Sequence, residues 1–402
     1  MTGEDIVTLE QRHILQVYRR APLVLVRGQG ARLWDLEGRE YLDLISGVGV
    51  ASLGHAHAGL ARAIADQADT LLHCSNLFYH PLQAQVAQRL AALSGLPRAF
   101  FCNSGTEAVD ACLKLARRYW HAQGGAGRAE IIALDRSFHG RTFGSLSVTA
   151  DDHYRTPFAP LVPGVRFVPP DDPDVLSAAA SQQTAAIIIE GIQGEGGVRP
   201  LSDRFARALE ETCRRTGAFL IADEVQCGLG RTGHAFYYQK LGLQPDLVAV
   251  GKALGGGVPV GAALASERVA SAVSFGDHGS TYGGNLLACR AALVFLETLV
   301  DGGLLAHVGE VGAHLEARLR SLAARHPAIV DIRGAGVMWG IELGGPADAV
   351  VAEALARGLL VNRTAGTVVR LLPPLTITAA EVDRAMAILD ETLLQATPGA
   401  VA

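Results

Sequence analysis

The apolar positions along this chain fall into three regimes. Between residues 22 and 46 (PLVLVRGQGARLWDLEGREYLDLIS) short alternating runs are broken by GQG and EGR, which predicts a small antiparallel meander. From about residue 56 to 95 the spacing is helical, as in LARAIADQADTLL and LQAQVAQRLAAL. Compact apolar runs then alternate with helical stretches: RAFFCN, EAVDACLKLARRYW, EIIALD, AAIIIE, SDRFARALEETCRRTG, AFLIADE and DLVAVGK. That alternation signals a mainly parallel sheet covered by helices, hence an α/β fold. After about residue 300 a long helix (LLAHVGEVGAHLEARLRSLAARH) precedes strands in AIVDIRGAGVMWGIEL, another helix, strands in LLVNR and VVRLLPP, and a last helix from Ala379. This reads as a smaller α+β unit. The expected organisation is an N-terminal segment with the meander (1–55) packing with the C-terminal unit, a large domain (56–300) and a small α+β domain (301–402).

Composition narrows the classes of function. The chain has 402 residues, 49% of them hydrophobic, enough for a large core and more than one domain. Net charge is −5 with no basic block, so nucleic acid is not an expected partner. The N-terminus, MTGEDIVTLEQRH, lacks the apolar core of a signal peptide. No apolar run approaches the roughly 20 residues of a membrane span, so no membrane partner is expected. The six cysteines show neither CxxC spacing nor scaffold density, and are expected to be reduced in a cytoplasmic protein; no metal set is expected. Of 35 basic residues only three are lysine: Lys114, Lys240 and Lys252. Lys114 and Lys240 read as surface charges. Lys252 follows the apolar run LVAV and precedes a glycine cluster, where a long cation is costly to bury. A lysine kept there is needed as an amine, because a guanidinium stays protonated and is a poor nucleophile.

In open parallel sheets, ligands bind outside the carboxyl ends of the strands. There FLIA ends in Asp223, IIIE in Glu190, and FFCN opens into Ser104-Gly105-Thr106. IIALD leads to Phe138-His139-Gly140-Arg141, and LVAVG ends in Lys252. Gly105 and Thr106 precede a helix, as a phosphate site or an ordinary cap would. Asp223, at the edge of an apolar core, needs a cationic partner to stay ionised: a protonated ring nitrogen or an arginine. Phe138 offers a flat face, either for stacking or for the core. Lys252 supplies an amine made nucleophilic by desolvation. Together these describe a pyridoxal phosphate site, with a phosphate, a pyridine ring, its nitrogen and an aldehyde to capture. A Walker or Rossmann site is disfavoured, since neither glycine pattern follows a strand.

The chain resembles the class III (subgroup II) pyridoxal-phosphate aminotransferases of fold type I, closest to their acetylornithine branch. The motifs are NSGTEA (103–108), SFHGRT (137–142), GIQGEGGVRP (191–200), ADEVQCGLGRTG (222–233), GKALGGGVPVGA (251–262), HGSTYGGN (278–285) and VVRLLPPL (368–375). The resemblance implies a large domain built on a mainly parallel seven-stranded sheet. It implies that Lys252 carries the cofactor covalently, that Asp223 contacts the pyridine nitrogen and that Gln226 lies near the ring hydroxyl. Phe138 then stacks on the ring, and Ser104, Gly105 and Thr106 hold the phosphate. Thr281 would reach the phosphate of the neighbouring subunit, which implies a homodimer with shared active sites.

The implied reaction moves the terminal amine of N2-acetyl-L-ornithine, or a similar acylated diamino acid, to 2-oxoglutarate, in arginine or lysine biosynthesis. Arg141 would bind the distal carboxylate of either substrate and Arg370 the α-carboxylate of glutamate. Glu195 would cover Arg370 when no such carboxylate is present, and Ser280 points to the acetylornithine side. RGQGARLWD and GRTFGSLSVT also resemble the branch that works on lysine precursors held by an acidic amino-group carrier protein. Succinylornithine, ornithine and 4-aminobutyrate are further substrates to weigh. A mutase or decarboxylase, and a non-catalytic binding protein, are the other classes. Departures from the family pattern at VDACLKLAR, Gly191, Cys227 and Leu286 lie beside the cofactor residues rather than among them.

Overall fold

Seven strands form the central sheet of the computed structural model, which describes residues 1–125 and 127–396. In chain order they are Arg98–Cys102 (β1), Glu130–Leu134 (β2), Val165–Val168 (β3), Thr184–Glu190 (β4), Phe219–Asp223 (β5), Leu247–Val250 (β6) and Gly261–Ala265 (β7). Across the sheet they run β1-β7-β6-β5-β4-β2-β3. Only β7 is antiparallel to its neighbours. Every residue of β4, β5, β6 and β7 is buried. That is why these segments read as continuous apolar runs instead of alternating ones.

Side chains on the two faces nevertheless separate by the two-residue period of a strand. Ala186, Ile188, Phe219, Ile221 and Ala249 enter one cluster with the helix Gly105–Ala122, through its Ala108, Ala111, Cys112 and Leu115. Ile187, Ile189, Leu220, Ala222, Val248 and Val250 enter the other, with the helix Leu286–Val300. No single helix among the described residues is long and apolar enough to cross a membrane; the bent pair Leu286–Val300 and Leu304–Arg325 meets that test only when combined across a 62° break.

The predicted meander is present as Leu25–Gln29, Arg32–Asp35 and Glu40–Asp43, paired antiparallel. A four-stranded antiparallel sheet follows residue 300, ordered Ile329–Ala335, Met338–Leu343, Val368–Leu371 and Asn362–Thr364. The run LLVNR, read from the sequence as one strand, serves two sheets. Leu359–Leu360 pairs parallel with the meander, Leu359 beside Leu42, whereas Asn362–Thr364 pairs antiparallel with Val368–Leu371. Leu359, Leu360 and Val361 are all buried, so the run has no solvent face and is covered from both sides. The N-terminal segment is therefore stitched to the chain just before Arg370.

Candidate active site

Strand register brings the expected acids together. Asp223 ends β5 beside Glu190 of β4 and Ala249 of β6, and Lys252 follows β6 after one glycine. They share a pocket of about 250 Å³ that Gly105, Thr106, Phe138, Arg141, Glu195 and Gln226 also line. Lys252 opens a tight turn (Lys252–Gly255) with φ +40°, a left-handed conformation uncommon for a residue with a side chain. Burial lowers the pKa of its amine, with Glu195 opposing and Arg370 adding to the effect. Lys114 and Lys240 are exposed, as expected of surface charges.

One wall of the pocket is bare backbone. A Cβ on Gly105 would lie 2.5 Å from Val225 Cγ1, and one on Gly251 would lie 3.1 Å from Gly105 Cα. The start of the helix Gly105–Ala122 can therefore sit against the turn that carries Lys252. Its cap is Ser104, whose hydroxyl accepts from Glu107 N–H at 3.3 Å. Thr106 Oγ1 lies 2.9 Å from Thr142 Oγ1 and 2.5 Å from Ser145 Oγ, and accepts the N–H groups of Arg141 and Thr142 at 3.1 Å. The free N–H groups of the helix start and this hydroxyl cluster suit a phosphate.

Asp223 has a partner that neither sequence alternative named. Its Oδ2 lies 2.7 Å from His139 Nδ1, and its Oδ1 accepts Val225 N–H at 3.0 Å. His139 is buried, and its Nε2 has no hydrogen-bond partner among the described residues. The imidazole thus spends its one polar contact on the Asp223 carboxylate. Glu190, buried beside them, accepts Phe138 N–H at 2.9 Å and Gly194 N–H at 3.2 Å. Burial, opposed by His139 and reinforced by Asp223, pushes its carboxyl up to about 7.

Across the pocket Arg370 Nη1 lies 2.5 Å from Glu195 Oε1 and donates to Gln226 Oε1 at 3.2 Å. Burial pushes the Glu195 carboxyl up, but Arg370 and Lys252 outweigh it and leave its pKa lowered. Gly194 makes room for this: a Cβ there would lie 1.9 Å from Gln226 Oε1. Arg141 forms no ion pair among the described residues. Its guanidinium instead lies 3.6 Å over the ring of Tyr154 and 5.5 Å over that of Phe138.

Two expected site residues lie elsewhere in the protomer. Ser280 Oγ accepts Gly283 N–H at 2.9 Å and faces a separate pocket of about 400 Å³, with Asn76 and Gln83. Thr281, next to it, is exposed. Sequence reasoning quoted His139 without giving it a task, although its place beside Phe138 after a strand was a usable signal. Tyr154 lies in the polar stretch DDHYRT, which carries no periodicity to mark it.

Comparison with known proteins agrees with this geometry. The family model for class-III aminotransferases matches residues 15–393, and the chain belongs to that family. It is an aminotransferase. It is 44% identical over 393 residues to the acetylornithine aminotransferase of Methanothermobacter thermautotrophicus, covering 98% of this chain and 99% of that one. It is 46% identical over 382 residues to the acetylornithine aminotransferase of Aquifex aeolicus, covering 95% and 100%. Among solved structures, the ornithine aminotransferase of Toxoplasma gondii, with partial occupancy of PLP at its active site, superposes with a TM-score of 0.93 at 32% identity. That match covers 98% of this chain and 94% of the other.

Proposed function

We propose that the chain uses pyridoxal phosphate to move the terminal amino group of N2-acetyl-L-ornithine to 2-oxoglutarate, giving the semialdehyde and L-glutamate, a step of arginine biosynthesis. The observation that carries this reading is the Lys252 pocket: an amine, a buried acid, a backbone-walled helix start, Arg141 on the lining, and Arg370 buried behind the lining residues Glu195 and Gln226. Full-length relatives named for the acetylornithine reaction support the substrate.

The residues fit the cofactor. Gly105 and Thr106, on the helix that Ser104 caps, hold its phosphate. Phe138 would cover one face of the ring, Gln226 would lie near the ring hydroxyl and Lys252 would attach the group covalently. Bound there, the cofactor supplies an electron sink for the carbon that carries the amino group. Asp223, which faces His139 Nδ1 and accepts Val225 N–H, would pair with the ring nitrogen. Once the substrate amine replaces it on the cofactor, Lys252 Nζ, desolvated and with its pKa lowered, would take the proton from the carbon that carries the amino group and return it on the other side of that nitrogen. Arg141 binds the distal carboxylate that both substrates carry. Arg370 binds the α-carboxylate of glutamate, and Glu195 covers it when the acylated amine is bound.

The same reading makes the enzyme a homodimer with shared sites, in which Thr281 reaches the neighbouring subunit's phosphate and Ser280 its substrate. Exposed apolar residues support the assembly: Leu77, Phe78 and Tyr79 near that loop, Phe275 and Tyr282 within it, and Leu15, Val17 and Tyr18 after an N-terminal helix with no buried residue. It divides the chain at about residues 55 and 300, with the stitched meander joining the first and last parts; the final residues, 397–402, lie outside the described residues. It also puts the protein in the cytoplasm, which six free cysteines support.

Steady-state kcat/KM with 2-oxoglutarate tests the substrate. N2-acetylornithine should exceed succinylornithine, ornithine and 4-aminobutyrate. A preference for free 4-aminobutyrate, or for an amine held on an acidic carrier protein, would overturn the assignment.

A further inference from the structure

Arg141, on the pocket lining, and Arg370, behind the lining residue Glu195, are held in opposite ways. Arg370 lies against a carboxylate, Glu195, at 2.5 Å. Arg141 lies against a neutral ring, Tyr154, at 3.6 Å. That ring meets Phe138 edge to face at 6.1 Å, and its other neighbour is His153 at 5.4 Å. Tyr154 belongs to the single turn Asp152–Arg155, which Asp151 caps by accepting His153 N–H at 2.9 Å. It lines a cavity of about 510 Å³ that shares Phe138 and Glu195 with the Lys252 pocket. Arg141 is fixed at its backbone as well, where its N–H meets Thr106 Oγ1 at 3.1 Å.

The difference has a chemical meaning. An arginine paired with an acid must give up that acid before it can grip a substrate carboxylate, so the acid works as a competitor. An aromatic face orients a guanidinium through its quadrupole and leaves the N–H edge free for a bidentate carboxylate. In the reading given above, on which this inference rests, a distal carboxylate arrives with both substrates. Arg370 meets its carboxylate in only one half-reaction. An arginine needed every time wants a holder that never competes; one needed half the time wants a holder that does.

We propose that Tyr154 is a positioning residue that presents Arg141, as an open cation, to the carboxylate common to both substrates. The ring face is the working part, so its hydroxyl is dispensable.

The test uses the holoenzyme with Tyr154→Leu and Tyr154→Phe, and Arg141→Gln as reference. Three quantities are read: KM and kcat for N2-acetylornithine and 2-oxoglutarate, the single turnover of n-pentylamine, which has no carboxylate, with no keto acid added, and calorimetric Kd for glutarate, an unreactive dicarboxylate. Tyr154→Leu should raise both KM values and the glutarate Kd by about 3- to 10-fold, the scale of a partly desolvated cation–π contact. Its kcat and its turnover of pentylamine should stay at the wild-type level, and Tyr154→Phe should match wild type throughout. Wild-type KM and Kd values in Tyr154→Leu would overturn the proposal, as would an equal loss with pentylamine. Glutarate affinity unchanged in Arg141→Gln would instead overturn the assignment of Arg141 itself. Loss of glutarate binding there, with wild-type binding in Tyr154→Leu, would sink the role of Tyr154 alone.

Discussion

Glu195, on the pocket lining, and Arg370, buried behind it, face each other at 2.5 Å, with Arg370 only 2% exposed. A buried guanidinium left without a partner is costly, so the pair stays closed until a substrate carboxylate replaces the acid. Glu195→Gln weakens the cover without emptying the space. We expect kcat/KM for glutamate, relative to the terminal-amine substrate, to rise by about 10-fold, equivalent to about 1.4 kcal/mol. An unchanged ratio would show that the pair is only structural.

The glycine wall gives a second test. Gly105→Ala would drive a methyl group to 2.5 Å from Val225 Cγ1 and 2.9 Å from its Cγ2. Overpacking of this kind costs about 1–3 kcal/mol, and here it falls on the helix start assigned to the phosphate. Cofactor affinity, followed by absorbance during dialysis, should fall. Adding Val225→Ala removes the obstructing methyls and should restore most of it. If the double variant binds no better than the single one, the wall is not what limits the phosphate site.

Stability should carry a pH signature from buried acids. Burial pushes both Glu190 and Glu224 up to about 7, against 4.5 for an ordinary glutamate. Between those values the unfolded chain releases protons that the folded chain keeps, so stability falls as pH rises through the window and levels off above it. Glu224 accepts Tyr237 N–H at 2.9 Å and Tyr238 N–H at 2.8 Å and does not line the Lys252 pocket. Glu224→Gln removes one of the two titrations. The difference in urea midpoint between pH 5 and pH 8 should shrink; a difference equal to wild type would refute the assignment.

Shared sites can be tested by mixing subunits. Lys252→Ala and Thr281→Asp should each be severely impaired alone. A hybrid dimer, made by unfolding and refolding the two together, contains one doubly damaged site and one intact site. Recovered activity is expected only if Thr281 serves the partner subunit. No recovery, with dimers demonstrated by sizing, would return Thr281 to a local role.

Much of this was legible in the sequence because strand ends announce themselves. Asp223, Glu190 and Lys252 each close a run of apolar residues, and parallel register must then bring them to one edge. The glycine wall was only half legible, since a glycine at the start of an amphipathic helix suits an ordinary cap as well as a phosphate, and its close approach to Val225 is a contact between distant segments. What stayed hidden depends on contacts between distant segments. His139 lies 84 positions from Asp223, and no period in either segment encodes their pairing. Tyr154 acts from a four-residue turn too short for any pattern. The split of LLVNR between two sheets was equally invisible, because an uninterrupted apolar run reads the same with one neighbour as with two.

That split strand has a practical corollary. Leu44 N–H donates to Leu360 O at 2.9 Å, Leu372 N–H donates to Leu44 O at 2.8 Å, and Ser46 Oγ donates to Leu372 O at 2.6 Å. Arg370, to which the α-carboxylate of glutamate is assigned, is thus braced, two residues upstream of Leu372, by residues more than three hundred positions earlier. Limited proteolysis or an ill-chosen fusion junction near residue 40 would loosen substrate discrimination while leaving every pocket side chain intact. An expression tag on this protein is better carried ahead of the meander than inside it.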